Sequence, residues 1–285
     1  MHRLAVLADI HGNLPALQAV LADLQAESID GYLVAGDLTG GPQPNETIRL
    51  LRQHNALLIR GNTDENILRY VGGEAPAAWR TSKQWAVMRW ALDALEEENL
   101  WLLGSLPEQR VICLPEAAAI RMVHGSLRSS YEGLHPDRHP ERLSAVLEEL
   151  AEAVLVCGHI HIPWQLRRGE KLLLNPGSVA ASLNGDPRAY YALLNWDGAC
   201  WQAEQHAVGY DHALIRRAFV ESGLLEQGGA LARAFLRSIE TGHDVSLHFF
   251  ALTRRLLDEK NLSDLEVVPD EIWDQADRIF DWEKW

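Results

Sequence analysis

The 285-residue sequence predicts an α/β fold: a sandwich of two β-sheets with helices outside and a helical extension at the C-terminus. Three observations carry this. Short apolar runs before residue 160 read as buried strands, and segments of helical periodicity alternate with them. Beyond residue 164 the strands come in hairpins. After about Val208 only helical periodicity remains. Residues 1–207 therefore read as one α/β domain and 208–285 as a helical, acidic extension.

The elements follow in order. Leu4-Ala5-Val6-Leu7-Ala8 is a strand that ends at Asp9. Leu14, Leu17, Val20, Leu21 and Leu24 form the apolar stripe of a helix running to about Ala26. Tyr32-Leu33-Val34-Ala35 leads to Gly36-Asp37. Pro44 to Gln53 reads as a second helix with Ile48 and Leu51 inward. Leu57-Leu58-Ile59 leads to Gly61-Asn62. Ala77 to Leu103 reads as one long helical stretch. Its row of Trp79, Trp85, Trp90 and Trp101 suits a core or an interface better than a base-stacking platform. Ile120-Arg121-Met122-Val123 leads to His124. Pro140 to Ala153 is another helix, and Val154-Leu155-Val156-Cys157 leads to Gly158-His159. Gln165 to Leu174 is a hairpin turning near Gly169. Ala189–Asn195 and Ala199–Ala207 form a second hairpin around Asp197-Gly198. Asp211 to Phe219, Gly229 to Ile239 and Val245 to Lys260 read as amphipathic helices.

Five strand ends thus deliver Asp9-Ile10-His11, Gly36-Asp37, Gly61-Asn62-Thr63-Asp64, His124-Gly125 and Gly158-His159-Ile160-His161. Ligands bind beyond the carboxyl ends of strands in open α/β sheets. A lone Asp at a strand end is usually a helix cap, and a lone His usually a structural residue. Five clusters in this order instead describe a metal site, with enough donors for two ions. Mixed oxygen and imidazole donors suit Mn, Fe, Zn, Co or Ni, whereas a thiolate set would suit structural zinc and an all-oxygen set Mg or Ca. Two ions about 3.5–4 Å apart clamp a phosphate and activate a water for in-line displacement. Asp37, central in the order of ligands, is placed to bridge them.

These clusters resemble the motifs D-x-H, G-D, G-N-H-[DE], H and G-H-x-H of the calcineurin-like metallophosphoesterases over about the first 200 residues. The stretches Gly36-Asp37-Leu38-Thr39-Gly40-Gly41-Pro42-Gln43-Pro44-Asn45-Glu46 and Asn175-Pro176-Gly177-Ser178-Val179 are similar to the family's bacterial branch of small phosphodiesterases. The resemblance implies a four-layer sandwich and a hydrolase of phosphoester bonds. It implies one ion, manganese or iron first, held by Asp9, His11, Asp37 and His161, and a second held by Asp37, Asn62, His124 and His159. It places Asp37, Asn62, Thr63 and Asp64 in the catalytic motifs. The chain departs from the family at Thr63, where many members carry a His that assists the leaving group. General acid help is worth about 10²–10⁴-fold, so the change implies a preference for good leaving groups, unless Thr63 is a polar filler. The loop Leu38-Thr39-Gly40-Gly41-Pro42 lacks the Arg of the protein Ser/Thr phosphatases.

The implied activity is a phosphodiesterase. A dinucleoside polyphosphate hydrolase, a phosphomonoesterase and a non-catalytic scaffold are the alternatives, and a scaffold has no need of seven ligands. The substrate is then a small phosphorylated molecule, nucleotides included, with Ser126 to Gly133 and Ser178 to Pro187 shaping its pocket. With 40 acidic against 26 basic residues and a formal charge of −14, duplex nucleic acid is an improbable partner. Cys113, Cys157 and Cys200 have no paired spacing and read as reduced, mostly buried thiols of a cytoplasmic protein. No apolar run reaches the length of a membrane span. Asn261 to Trp285 holds eight acidic and two basic residues but also Trp273, Trp282 and Trp285. Such a tail folds back on the domain or packs across a homo-oligomer. His206, His212, His243 and His248 lack ligand spacing and read as structural.

Overall fold

The computed structural model describes residues 1–285. Two five-stranded mixed sheets make the sandwich. The first has the order β10-β9-β1-β2-β3, built from β1 (His2–Leu7), β2 (Gly31–Val34), β3 (Leu57–Leu58), β9 (Ala189–Trp196) and β10 (Trp201–Val208). The second has the order β4-β5-β6-β8-β7, from β4 (Gln109–Ile112), β5 (Ile120–Val123), β6 (Val154–Val156), β7 (Trp164–Arg168) and β8 (Lys171–Asn175). β1, β2 and β3 are parallel, as are β5, β6 and β8; the hairpin partners and β4 run antiparallel.

Strand periodicity sorts the core into layers. Leu4, Val6 and Ala8 meet Met122, Val156 and Leu174 between the sheets. Their neighbours Ala5 and Leu7 face the other way, against α1 (Leu14–Asp23) and α2 (Pro44–Gln53). On the far side, Leu155, Cys157 and Leu173 pack on α6 (Pro140–Glu149). A fourth cluster is built mainly from helices. It joins Ile67 of α3 (Asn62–Val71) and Val87, Met88 and Trp90 of α4 (Ala86–Ala94) to α7 (His212–Glu221), α8 (Leu224–Thr241), α9 (Val245–Glu259) and α10 (Asp270–Ile279). The C-terminal helices therefore share a core with residues 62–94 rather than standing apart.

Several elements differ from the sequence reading. The stretch 77–103 is not one helix but two 3₁₀ turns followed by α4 and α5 (Glu97–Ser105). The break at Leu95-Glu96 is held from a distance: Asn45 accepts from Glu96 N and Asn99 Nδ2 at 3.0 and 2.9 Å and donates to Ala94 O at 2.8 Å. The Trp row divides accordingly, with Trp79 and Trp90 buried and Trp101 75% exposed. α3 and β4 are elements the periodicity did not reveal. α8 begins earlier than expected and kinks at Gly229, which takes φ 59°, ψ −134°. Of the three free cysteines only Cys157 is buried; Cys113 is exposed, a correction to the expected burial.

The acidic tail packs on its own chain. Trp273 is buried edge-on against Phe249, and Trp282 stacks on Phe249 with Arg233 over its ring. Trp285 stacks on His248. His206 of β10 stacks on Tyr191, and His212 Nε2 of α7 lies 3.1 Å from Pro187 O, so both histidines have packing or hydrogen-bonding partners within the fold.

Candidate metal centre

The seven sequence-assigned donors converge where β1, β2, β3, β5 and β6 end. His11 Nε2 lies 3.2 Å from His161 Nε2 and 3.5 Å from Asp37 Oδ2, and His161 Nε2 lies 3.5 Å from Asp9 Oδ1. Beside them, Asn62 Oδ1 sits 2.9 Å from His124 Nε2 and 2.8 Å from His159 Nδ1, with Asp37 Oδ1 3.5 Å from His124 Nε2. Asp37 thus turns one carboxylate oxygen to each group. Asp9 also reaches both, at 4.0 Å from His124 Nε2.

The local backbone is built for this convergence. Asp9, His11, Asp37, His159 and His161 all take left-handed φ values, between 42° and 70°. Such conformations are costly for residues with a Cβ and cluster at functional sites. They curl each strand end so that consecutive polar side chains turn inward. Gly61 permits a close approach, since a Cβ there would lie 2.2 Å from Asp37 Oδ1. At Gly36 both φ +87° and the nearness of His124 Nδ1, 2.8 Å from an added Cβ, require glycine.

Hydrogen bonds fix which nitrogens face inward. His11 Nδ1 donates to Thr39 O, His124 Nδ1 to Ala35 O and His161 Nδ1 to Ala181 O, at 2.7–2.8 Å. With the proton on Nδ1, each Nε2 presents a lone pair to the cluster. The lone pairs of His11 and His161 then oppose each other at 3.2 Å, an arrangement that a cation between them relieves. The donor set fits divalent transition metals.

Electrostatics agree. Burial pushes Asp9 up to about 7, with the charge of Asp37 adding and His124 and His11 opposing. Burial also pushes Asp37 up, but His124 and His11 outweigh it and, with two hydrogen bonds from Thr63, hold its carboxyl at about 2. Burial takes His159 down to about 4 and lowers His161, keeping both neutral. His124, which burial would lower, is raised instead by Asp37 and Asp9. Without metal, protons balance the buried carboxylates.

Two residues of the third motif support rather than line this cluster's donors. Thr63 gives both its backbone N–H and its hydroxyl to Asp37, at 2.8 Å each, and also borders the adjoining cavity. Asp64 is wholly buried. It accepts from Leu38 N, Thr39 N, Thr39 Oγ1 and Gly61 N, clamping the loops that carry Asp37 and Asn62. Asp64 therefore positions the loops of the site through these hydrogen bonds.

A cavity of about 230 Å³ opens from the donors, with Ala180, Ala181 and Leu183 on one side and Phe219, Phe235, Ile239 and Asp244 of the C-terminal helices above. The loop 178–187 shapes the pocket as expected. The loop 126–133 does not border it; its Tyr131 hydroxyl instead donates to Asn66 Oδ1. Sequence reasoning missed the roof, because nothing in an amphipathic helix names the surface it will cover.

A family model described as the calcineurin-like phosphoesterase superfamily domain matches residues 2–199. The chain belongs to this superfamily. It is 29% identical to the protein MJ0912 of Methanocaldococcus jannaschii over 76% of this chain and 90% of that one. It is 28% identical to the phosphodiesterase YfcE of Escherichia coli over 68% of this chain and 89% of that one, which sets it with the bacterial small-phosphodiesterase branch. The crystal structure of a metallophosphoesterase from Sphaerobacter thermophilus aligns with TM-score 0.66 and 25% identity, over 85% of this chain and 99% of that one. The superfamily match ends at residue 199, so most of the helical roof lies beyond it. No helix is long and apolar enough to cross a membrane.

Proposed function

We propose that this phosphoesterase is a dimetal phosphodiesterase. Asp9, His11, Asp37 and His161 would hold one ion and Asp37, Asn62, His124 and His159 the other. The observation that carries the reading is the convergence of seven donors with imidazole lone pairs fixed inward by backbone carbonyls. When bound, the ions supply charge neutralisation at phosphate and an activated water. The chain's own residues do the rest. Asp37, ionised at neutral pH, joins the two donor groups, and Thr63 fixes its rotamer. Asn62 spans His124 and His159, and the neutral His159 is available as a donor.

Similarity to the phosphodiesterase YfcE supports the diester over the monoester. The cavity walls contain no lysine or arginine to neutralise a polyphosphate chain, and they include Asp244, which weighs against the dinucleoside polyphosphate reading. Manganese and iron remain the first ions to try, with zinc, nickel and cobalt next, and the site of action expected is the cytoplasm. The test is a manganese-loaded screen of bis(4-nitrophenyl) phosphate, 4-nitrophenyl phosphate and a dinucleoside polyphosphate, with elemental analysis of the same sample. Two ions per chain and highest kcat/KM on the diester are expected, with both ions and activity lost in Asp37→Ala. Fewer than one ion per chain, or a preference for the anhydride, would sink the reading.

A further inference from the structure

Two cavities, not one, open from the donor cluster. The second has a volume of about 240 Å³, close to the first at about 230 Å³. Both have His11, Gly40, Asn62, Thr63 and Phe235 in their walls. They diverge from there. One runs between Leu183 and the helices bearing Phe219 and Ile239; the other runs toward Trp85, Met88, Leu231 and Phe250. The shared Phe235, on α8, is the divider. Each branch is largely apolar, and neither wall holds a cationic side chain. Each wall also contains one buried hydrogen-bond donor without a partner: Ser246 Oγ in the first and Trp85 Nε1 in the second. An unpaired buried donor is costly, so such groups call for an acceptor.

Resting on the phosphodiesterase reading, we infer that the two branches receive the two ester arms of one phosphodiester, each arm an uncharged, mainly apolar or aromatic group bearing a hydrogen-bond acceptor. A phosphodiester has two organic substituents on one phosphorus, and the two branches meet at the donor cluster where that phosphorus would sit. A monoester fills one branch only. A polyphosphate would carry charge into a wall that holds Asp244 and no counter-ion. The helical roof, drawn from residues 85–91 and 219–250, is thus the specificity element of the enzyme.

The test compares two diesters with the same leaving group, bis(4-nitrophenyl) phosphate and methyl 4-nitrophenyl phosphate, in manganese-loaded protein. Leu183→Trp fills the first branch and Met88→Trp the second. In each variant the ratio of kcat/KM for the bis-aryl over the methyl diester should fall by about tenfold or more, the range that a lost apolar pocket contact gives. Wild-type protein provides a second measurement that needs no variant to fold. Diphenyl phosphate should compete about tenfold more tightly than methyl phenyl phosphate. Hydrolysis of both diesters with unchanged ratios in folded variants, or equal inhibition by the two competitors, overturns the branch assignment and leaves the phosphodiesterase standing. Absence of any diester hydrolysis overturns the phosphodiesterase reading and this inference with it.

Discussion

Thr63 is the position where the chain departs from its family, and its neighbours explain what a threonine does there. Its hydroxyl and its amide both serve Asp37, one carboxylate oxygen each. A group that orients a ligand is worth about 10–100-fold in metal affinity or activity. Thr63→Val, which keeps the amide and the shape, should weaken manganese binding by roughly that factor, while Thr63→Ser should retain most of it. Titration calorimetry of the two variants checks this, and equal affinities for valine, serine and wild type would remove Thr63 from the site's machinery. The donors themselves were legible because the superfamily places them beside short strands, where sequence spacing survives folding. Thr63's partner was not legible. Its hydroxyl could have faced solvent, and only the turn at Gly61, which brings Asp37 within contact, decides that it does not.

At the scale of elements, the same contrast holds. α1, α2 and α6 each carry a proline in the first turn and a clear apolar stripe, so their limits could be read locally. The two hairpins were equally plain from their turns. The break between α4 and α5 was invisible, because its cause is Asn45, some fifty residues upstream. α3 escaped notice because its first turn is occupied by motif residues, Asn62 and Thr63, that look like loop. The tail helix α10 could be anticipated only as something apolar among carboxylates. Its anchor is Trp273, 2% exposed between Phe249 and Phe250. Trp273→Ala should cost ~3–5 kcal/mol, a fall in Tm on the order of 10 °C for a chain of this size. Differential scanning calorimetry reads this directly, and a Tm within a degree of wild type would mean that the tail contributes nothing to the helical core.

Across the whole molecule, the donor cluster is a seam. Asp9, His11, Asp37 and Asn62 come from the first sheet, and His124, His159 and His161 from the second. Ions held by these donors would tie the two sheets together, so metal should stabilise the fold as well as serve chemistry. At about a hundred times Kd the gain is ~2.7 kcal/mol, or roughly 5–10 °C in Tm. The gain should depend on pH in a definite direction. Asp9, raised to about 7 in the metal-free fold, keeps its proton below that pH. An unfolded carboxyl has lost its proton there, so acidification from about 7 towards 4 favours the metal-free fold through Asp9. His159, lowered to about 4, works oppositely below the usual imidazole value, since the unfolded chain gains that proton first. Binding a cation at Asp9 would release its proton, whereas His159 holds none to release above pH 4. Each pH unit below 7 therefore lowers apparent metal affinity by about tenfold, ~1.4 kcal/mol of the stabilisation, and the raised His124 adds to the loss. Thermal unfolding at fixed free Mn²⁺ should show the metal-induced rise in Tm shrinking from pH 8 to pH 6, while the metal-free protein changes less. Calorimetry in buffers of different ionisation enthalpy should register more protons released per chain at pH 6 than at pH 8. A metal-induced rise that is flat across this range, with no proton release, would show that Asp9 is already ionised in the metal-free fold and that the buried seam is charged before any cation arrives.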